Sequence, residues 1–244
     1  MEYSAVEWEL RKELAAAYRI FAHWGWDDLV FTHLSVKIPG AEDRFLLNSF
    51  TQAFEEITAS SLVTVDVTGK PVEGQPALTN PAGFVIHSAL HMGRSDAACV
   101  MHLHTEAGQT VSCLADGFQA ICQTSMIAAS GGVSYHEFEG VANNEDERER
   151  LIRDIGDSAV LILRNHGTLT TGQSIGEAFL RMYFLERACR VQVKTLSCGN
   201  VHQPPAGAGE FVAEQMTRDF SGAAKLAWPA VLRKIERLYP ETFQ

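Results

Sequence analysis

Val100-Met101-His102-Leu103-His104-Thr105-Glu106-Ala107-Gly108 is the stretch on which the reading of this chain turns. Together with Cys99 it begins as an apolar run and reads as a buried strand from Cys99 to His104. Thr105 then stands where a helix cap belongs, because its hydroxyl can accept from the first free amides of a following helix. Side chains alternate along a strand, so His102 and His104 share one face while Met101 and Leu103 enter the opposite layer. Two imidazoles at that spacing can share one cation, and neutral imidazole suits zinc, iron, cobalt or manganese. The same pair also reads as two ordinary packed histidines, and spacing alone leaves both readings open. A third imidazole from another strand end would complete a facial set. His166 in Arg164-Asn165-His166-Gly167 is the best candidate, because it directly follows the apolar strand Ala159–Leu163 and precedes a glycine that permits a tight turn and close backbone approach.

Elements of both kinds surround this stretch. Val6, Leu10, Leu14, Ala17 and Phe21 recur at helical spacing, and Gly25 closes that helix. Leu29 to Ile38, Phe45 to Leu47 and Leu62 to Val67 read as strands, the last followed by a turn at Thr68-Gly69-Lys70. After a loop rich in proline and glycine, Phe84 to Met92 reads as a helix entered through Asn80-Pro81. Asn143-Asn144 precedes Glu145-Asp146-Glu147, placing acids in a first helical turn. Ile175, Phe179, Met182, Leu185, Cys189, Val193 and Leu196 form a long helical stripe. Residues 199–209 read as a linker to a helical tail ending near Tyr239. This mixture predicts one α/β domain over residues 1–200 and a helical extension over 201–244.

The chain has 244 residues, 46% of them apolar and 20% charged, which is the composition of a globular protein with a full core. No apolar run approaches the ~18 residues of a membrane helix, and the first residues lack the order of a secretion signal. A net charge of −10 argues against nucleic acid and anionic lipid as partners. Five cysteines, with no Cys-x-x-Cys pair, argue against a disulfide framework. Three of them lie in apolar surroundings and read as buried thiols, which fits a reducing, cytoplasmic setting. His87 and His91 are four apart on a predicted helix, a ligand spacing that core packing explains as well. His23, His136 and His202 read as ordinary histidines.

Four ordered motifs carry a resemblance. GWDDLVFTHLSVKIPG, TNPAGFVIHSALH, VMHLHTEAG and ILRNHGTLTTG together resemble the class II aldolase and adducin family over about residues 7–200. The resemblance implies a three-layer α/β/α sandwich around a central, largely antiparallel sheet, and a homotetramer with fourfold symmetry. It implies a divalent metal on His102, His104 and His166, zinc first, with iron, manganese or cobalt as alternatives. Such an ion chelates adjacent hydroxyl and carbonyl oxygens and stabilises the charge that develops when a carbon–carbon bond breaks. It also implies a pocket for a small-molecule substrate, with Thr32, Asn48 and Ser49 at positions that contact it.

Departures from the family pattern redirect the chemistry. The catalytic glutamate of sugar-phosphate aldolases falls, by motif position, on Gly83. Pro81, Ala82 and Thr32-His33 stand where phosphate-holding residues belong. The chain therefore resembles the adducin-like branch, and the expected substrate is a non-phosphorylated hydroxy-carbonyl compound. His33, Glu106 or a metal-bound hydroxide can replace the missing base; His33 is the candidate catalytic residue because its ordinary pKa suits proton transfer, and it also reads as a structural histidine hydrogen-bonded in its loop. Glu106 also reads as a group orienting a ligand histidine or as a first-turn acid, and Arg164 as an anion contact or a surface ion pair. Three activities are consistent with these residues: a metal-dependent aldehyde-lyase, a non-haem iron oxygenase or decarboxylase of a keto or hydroxy acid, and a non-catalytic binding module.

Overall fold

A computed structural model of the chain describes residues 3–72, 78–140 and 146–244. The first helix, α1 (Ala5–His23), starts at Ser4, whose hydroxyl accepts from the Glu7 amide at 3.1 Å. Strands β1 (His33–Ile38), β2 (Ala41–Leu47) and β3 (Val63–Asp66) follow, then α2 (Pro81–Gly93) and β4 (Cys99–Leu103). Helices α3 (Glu106–Cys113) and α4 (Gln123–Ala129), strand β5 (Val133–His136) and α5 (Glu147–Ile155) lead to β6 (Val160–Leu163) and β7 (Gly167–Gly172). Two long helices close the chain, α6 (Ile175–Cys198) and α7 (Ala208–Leu238).

The strands form one sheet in the order β3-β2-β1-β4-β7-β6-β5, with β4 at its centre. Each described pair is antiparallel except β5 with β6. Alternation along the strands sorts the core into two layers. Leu34, Val36, Cys99, Met101 and Leu103 pack with α1, α6 and Trp228 of α7. Val100, Leu161, Leu163 and Leu169 face α2 and α5 through Ile86, Leu90, Leu151 and Ile155. This is the expected α/β/α sandwich. His102 and its β1 neighbour in register, His33, lie on the α2 side.

Three details depart from the sequence reading. The strand read from Leu29 begins at His33, because Leu29 has φ +50° and the Phe31 amide closes a turn on the Asp28 carbonyl at 2.8 Å. A bulky residue at positive φ cannot continue an extended strand. Strand β7 escapes pattern reading because Gly167-Thr168-Leu169-Thr170-Thr171-Gly172 has one large apolar side chain and a glycine at each end. It is nonetheless central, its threonines buried, as β-branched residues suit a pleated surface. Of the cysteines, Cys99 and Cys189 are buried; the other three reach the surface at least in part, and all five are free. Helix α5 starts at Glu147, with Glu147 and Glu149 in its first turn; Asn143, Asn144 and Glu145 lie outside the described residues.

One buried charge ties α1 to the sheet edge. The fully buried Arg11 guanidinium donates to the Leu62 carbonyl and to Thr64 Oγ1, both at 2.7 Å, and to Glu7 Oε1 at 2.9 Å. Arg11→Met removes these donors at once and is expected to cost about 3 kcal/mol, read as a lowered denaturation midpoint with unchanged slope.

Candidate metal centre

His102, in β4, and His104, just past its end, share a face as strand alternation requires, with ring centroids 4.7 Å apart. The turn after β6 brings the His166 ring to 4.8 Å from each. One donor nitrogen from each of the three lies within 4.8 Å of the other two. Asn165 takes the left-handed conformation in that turn, with φ +56°, which asparagine tolerates better than most residues. Gly167 serves a different need. A Cβ there would lie 2.6 Å from the Leu103 carbonyl and 3.0 Å from the His104 ring, so only glycine lets β7 approach β4 this closely. Gly167→Ala is therefore expected to destabilise the fold by about 2 kcal/mol and to weaken metal retention, checked by thermal melts and elemental analysis of the same sample.

The back of each strand-borne imidazole is committed. His102 Nδ1 donates to the Thr168 carbonyl at 3.0 Å, and His104 Nδ1 donates to the Asp28 carboxylate at 2.9 Å. A neutral imidazole has one N–H, so with both rings neutral the two Nε2 atoms are bare, and they face each other at 2.9 Å. Two opposed lone pairs repel unless a cation lies between them. Metal–imidazole bonds are about 2.0–2.1 Å, so two nitrogens bonded to one ion would lie roughly 3 Å apart, close to the spacing of this pair. Burial holds His102 well below the ordinary imidazole pKa and lowers His166 to about 4, with neighbouring imidazoles adding to each shift. His102 and His166 are thus held neutral, and three imidazole nitrogens this close together fit a divalent ion.

The model of the class II aldolase and adducin N-terminal domain matches residues 12–193. The chain belongs to the class II aldolase and adducin family. A Pseudomonas aeruginosa protein provisionally named as an aldolase class 2 protein is 50% identical, with 98% of this chain and 93% of that one covered. The crystal structure of an aldolase II superfamily protein from Pseudomonas syringae superposes with a TM-score of 0.94 at 43% identity, covering 100% and 98% of the two chains. L-fuculose 1-phosphate aldolase from Glaciozyma antarctica superposes with a TM-score of 0.86 at 28% identity, covering 100% and 96%.

Other residues of interest divide between this centre and the frame. The His33 ring is 5.1 Å from that of His102. Its atoms fill the space a residue-83 side chain would take: a Cβ on Gly83 would be 2.5 Å from His33 Cδ2 and 2.7 Å from Nε2. Burial, then the neighbouring His104 and His166, lower its pKa to about 3, so the ordinary value expected from the sequence does not hold in the folded chain. Asn48 is buried after β2 and takes a hydrogen bond from Tyr18 Oη at 2.8 Å. Ser49 Oγ pairs with Thr51 Oγ1 at 2.9 Å. Thr32 is fully buried and its hydroxyl has no hydrogen-bond partner in the described protein.

Of the two readings open to Glu106, the structure agrees with the first-turn acid and not with the orienting group. Glu106 is exposed in the first turn of α3, whereas Asp28 orients His104. Asp28 was legible only as an acid in GWDD, 76 residues from its partner; Leu29 at positive φ is what turns the chain there. Arg164 is engaged elsewhere, donating to the Leu114 carbonyl at 2.7 Å with its guanidinium over the Tyr135 ring. His136 is buried and paired with Asp154 at 2.8 Å. No helix among the described residues is long and apolar enough to cross a membrane.

Proposed function

We propose that the protein is a divalent-metal-dependent lyase of aldolase type, acting on a small, non-phosphorylated hydroxy-carbonyl compound. The observation that carries this reading is the opposed pair of bare Nε2 atoms on His102 and His104, with His166 alongside. In this reading His102, His104 and His166 hold the ion, zinc first. When bound, a divalent ion supplies Lewis-acid polarisation of neighbouring hydroxyl and carbonyl oxygens. Asp28 and the Thr168 carbonyl keep the two strand-borne ligands in the tautomer that presents Nε2.

Cleaving a carbon–carbon bond beside a hydroxyl takes one proton from that hydroxyl and returns one to the carbon released with the bonding electrons. His33 is the group proposed to move these protons at Nε2, in the space that Gly83 leaves open. Thr32, with its unpartnered hydroxyl, Asn48 and Ser49 are proposed to contact substrate. A non-phosphorylated substrate fits the engagement of Arg164 away from the centre.

Elemental analysis of protein purified without chelators or a metal affinity column tests the reading. About one zinc per chain, with aldehyde release from a hydroxy-carbonyl panel, is the expected result. No stoichiometric divalent metal would overturn it. Iron together with oxygen consumption would select the oxygenase reading instead, which the glycine at position 83 favours because oxygen chemistry at iron needs no carboxylate there. A homotetramer is part of the proposal, and a monomeric sedimentation profile would remove that part.

A further inference from the structure

Strand β1 turns His33 and Ser35 toward α2, and α2 presents His87 and His91 to them. All four side chains are at most 4% exposed. They form a single hydrogen-bonded file. His33 Nδ1 meets His87 Nε2 at 2.7 Å, and His87 Nδ1 is in short contact with Ser35 Oγ. Ser35 Oγ meets His91 Nε2 at 2.6 Å, and His91 Nδ1 meets the Ala97 carbonyl at 2.9 Å.

The far end of the file fixes its direction. A carbonyl oxygen only accepts, so His91 Nδ1 carries the proton. Neutral His91 then has a bare Nε2, which must accept from the Ser35 hydroxyl. That hydroxyl has one hydrogen, now used, so Ser35 Oγ accepts from His87 Nδ1–H. His87 Nε2 is in turn bare and accepts from His33 Nδ1–H. The remaining nitrogen, His33 Nε2, is left without a proton. Reversing the file requires an extra proton on His91 Nε2. Burial opposes that charge, and so does the Lys37 ammonium nearby.

We propose that His87, Ser35 and His91 are positioning residues whose file, anchored on the Ala97 carbonyl, holds His33 in the Nδ1–H tautomer and keeps its Nε2 lone pair free beside Gly83. The catalytic meaning of that lone pair rests on the lyase reading above; the direction of the file does not, because no metal ligand takes part in setting it. The file also accounts for a feature that packing alone leaves unexplained. Two histidines and a serine occupy core positions between a sheet and a helix, where apolar side chains would pack at no polar cost.

Ring nitrogen spectra of the histidine-labelled protein at pH 8, with His33 assigned by its loss in His33→Gln, test the proposal. The expected wild-type result is a protonated Nδ1 and an unprotonated Nε2 on His33. Ser35→Ala and His91→Phe cut the file, and His33 should then populate both tautomers. His91→Gln should restore the single tautomer, since an amide N–H can donate to the Ala97 carbonyl while the amide oxygen accepts from Ser35. On any substrate turned over, kcat should fall about 10- to 100-fold in His91→Phe and recover in His91→Gln, with KM and metal content unchanged. A wild-type His33 protonated on Nε2 overturns the proposal, even if the variants fail to fold. So does an unchanged tautomer in both cut variants. Metal analysis of the same samples separates the two readings: Nδ1–H on His33 without bound metal retains the file and removes the lyase, and Nε2–H with bound metal does the reverse.

Discussion

His102→Ala is expected to lower bound divalent metal from about one ion per chain to below a tenth, and activity by at least 10³-fold. His102 is buried in the central strand, with its Nδ1 held by the Thr168 carbonyl, so the substitution removes a donor already fixed in place. Two imidazoles remain after the change, and a site with two protein ligands loses both affinity and geometry. Stability separates this loss from simple misfolding. A ligand at about 1,000 times its dissociation constant stabilises the folded state by about 4 kcal/mol, which for a chain of this length is roughly 8–16 °C in Tm. Chelation should lower the wild-type Tm by an amount of that order and leave His102→Ala unmoved. The metal-free variant should be no less stable than the metal-free wild type by more than its lost packing, because the substitution also removes one of two opposed lone pairs. A wild-type Tm indifferent to chelators would remove the metal from the account altogether. Asp28→Asn provides the graded case: an amide oxygen still accepts from His104 Nδ1, so metal should weaken by about 10- to 100-fold without vanishing.

How much of this was legible in the sequence depends on whether the deciding interaction is local. The strand carrying His102, the cap at Thr105 and the helix from Ile175 all follow from spacing within a few residues, and the chain adopts them as read. The convergence of His166 on the pair needed more. Its strand β6 was plain as an apolar run, but β7, which docks the turn against β4, has too little apolar alternation to be seen. Asp28 and the α2 file lay beyond sequence reading for a different reason. His87 and His91 sit at a spacing that serves packing and ligation equally, and only register with β1 shows that they face Ser35 and His33. Similarly, Gly83 reads as a lost carboxylate in one dimension, whereas in three it is the space that the His33 ring occupies. A motif comparison sees the position that changed, and the fold shows which side chain moved in.

Acid should unfold the metal-free protein at a pH well above that set by its carboxylates. His87 and His91 both titrate lower in the folded chain than their ordinary value of 6.5, His91 at about 4, chiefly because burial disfavours the charged ring. The unfolded chain therefore binds more protons than the folded chain between these values, and stability rises with pH across that window. The stabilisation is complete above about pH 6.5 and is lost as pH falls toward 4. For His91 alone the full loss is about 3 kcal/mol, a large share of a typical folding free energy. The carboxyls of Glu13 and Glu186, pushed up by burial, act in the opposite sense, but each is partly held down by a hydrogen bond, from Trp228 and from Thr105 and Arg190 respectively. Denaturant midpoints measured from pH 7.5 to 4.5 in chelator should fall steeply. Because other groups titrate in the same range, the decisive quantity is the difference between wild type and His91→Gln. The amide side chain in that variant takes up no proton on unfolding, so its curve should be shallower by close to one proton between pH 6 and 5. Parallel curves would show that His91 is not held neutral in the folded protein, and would remove the basis for a file that runs in one direction.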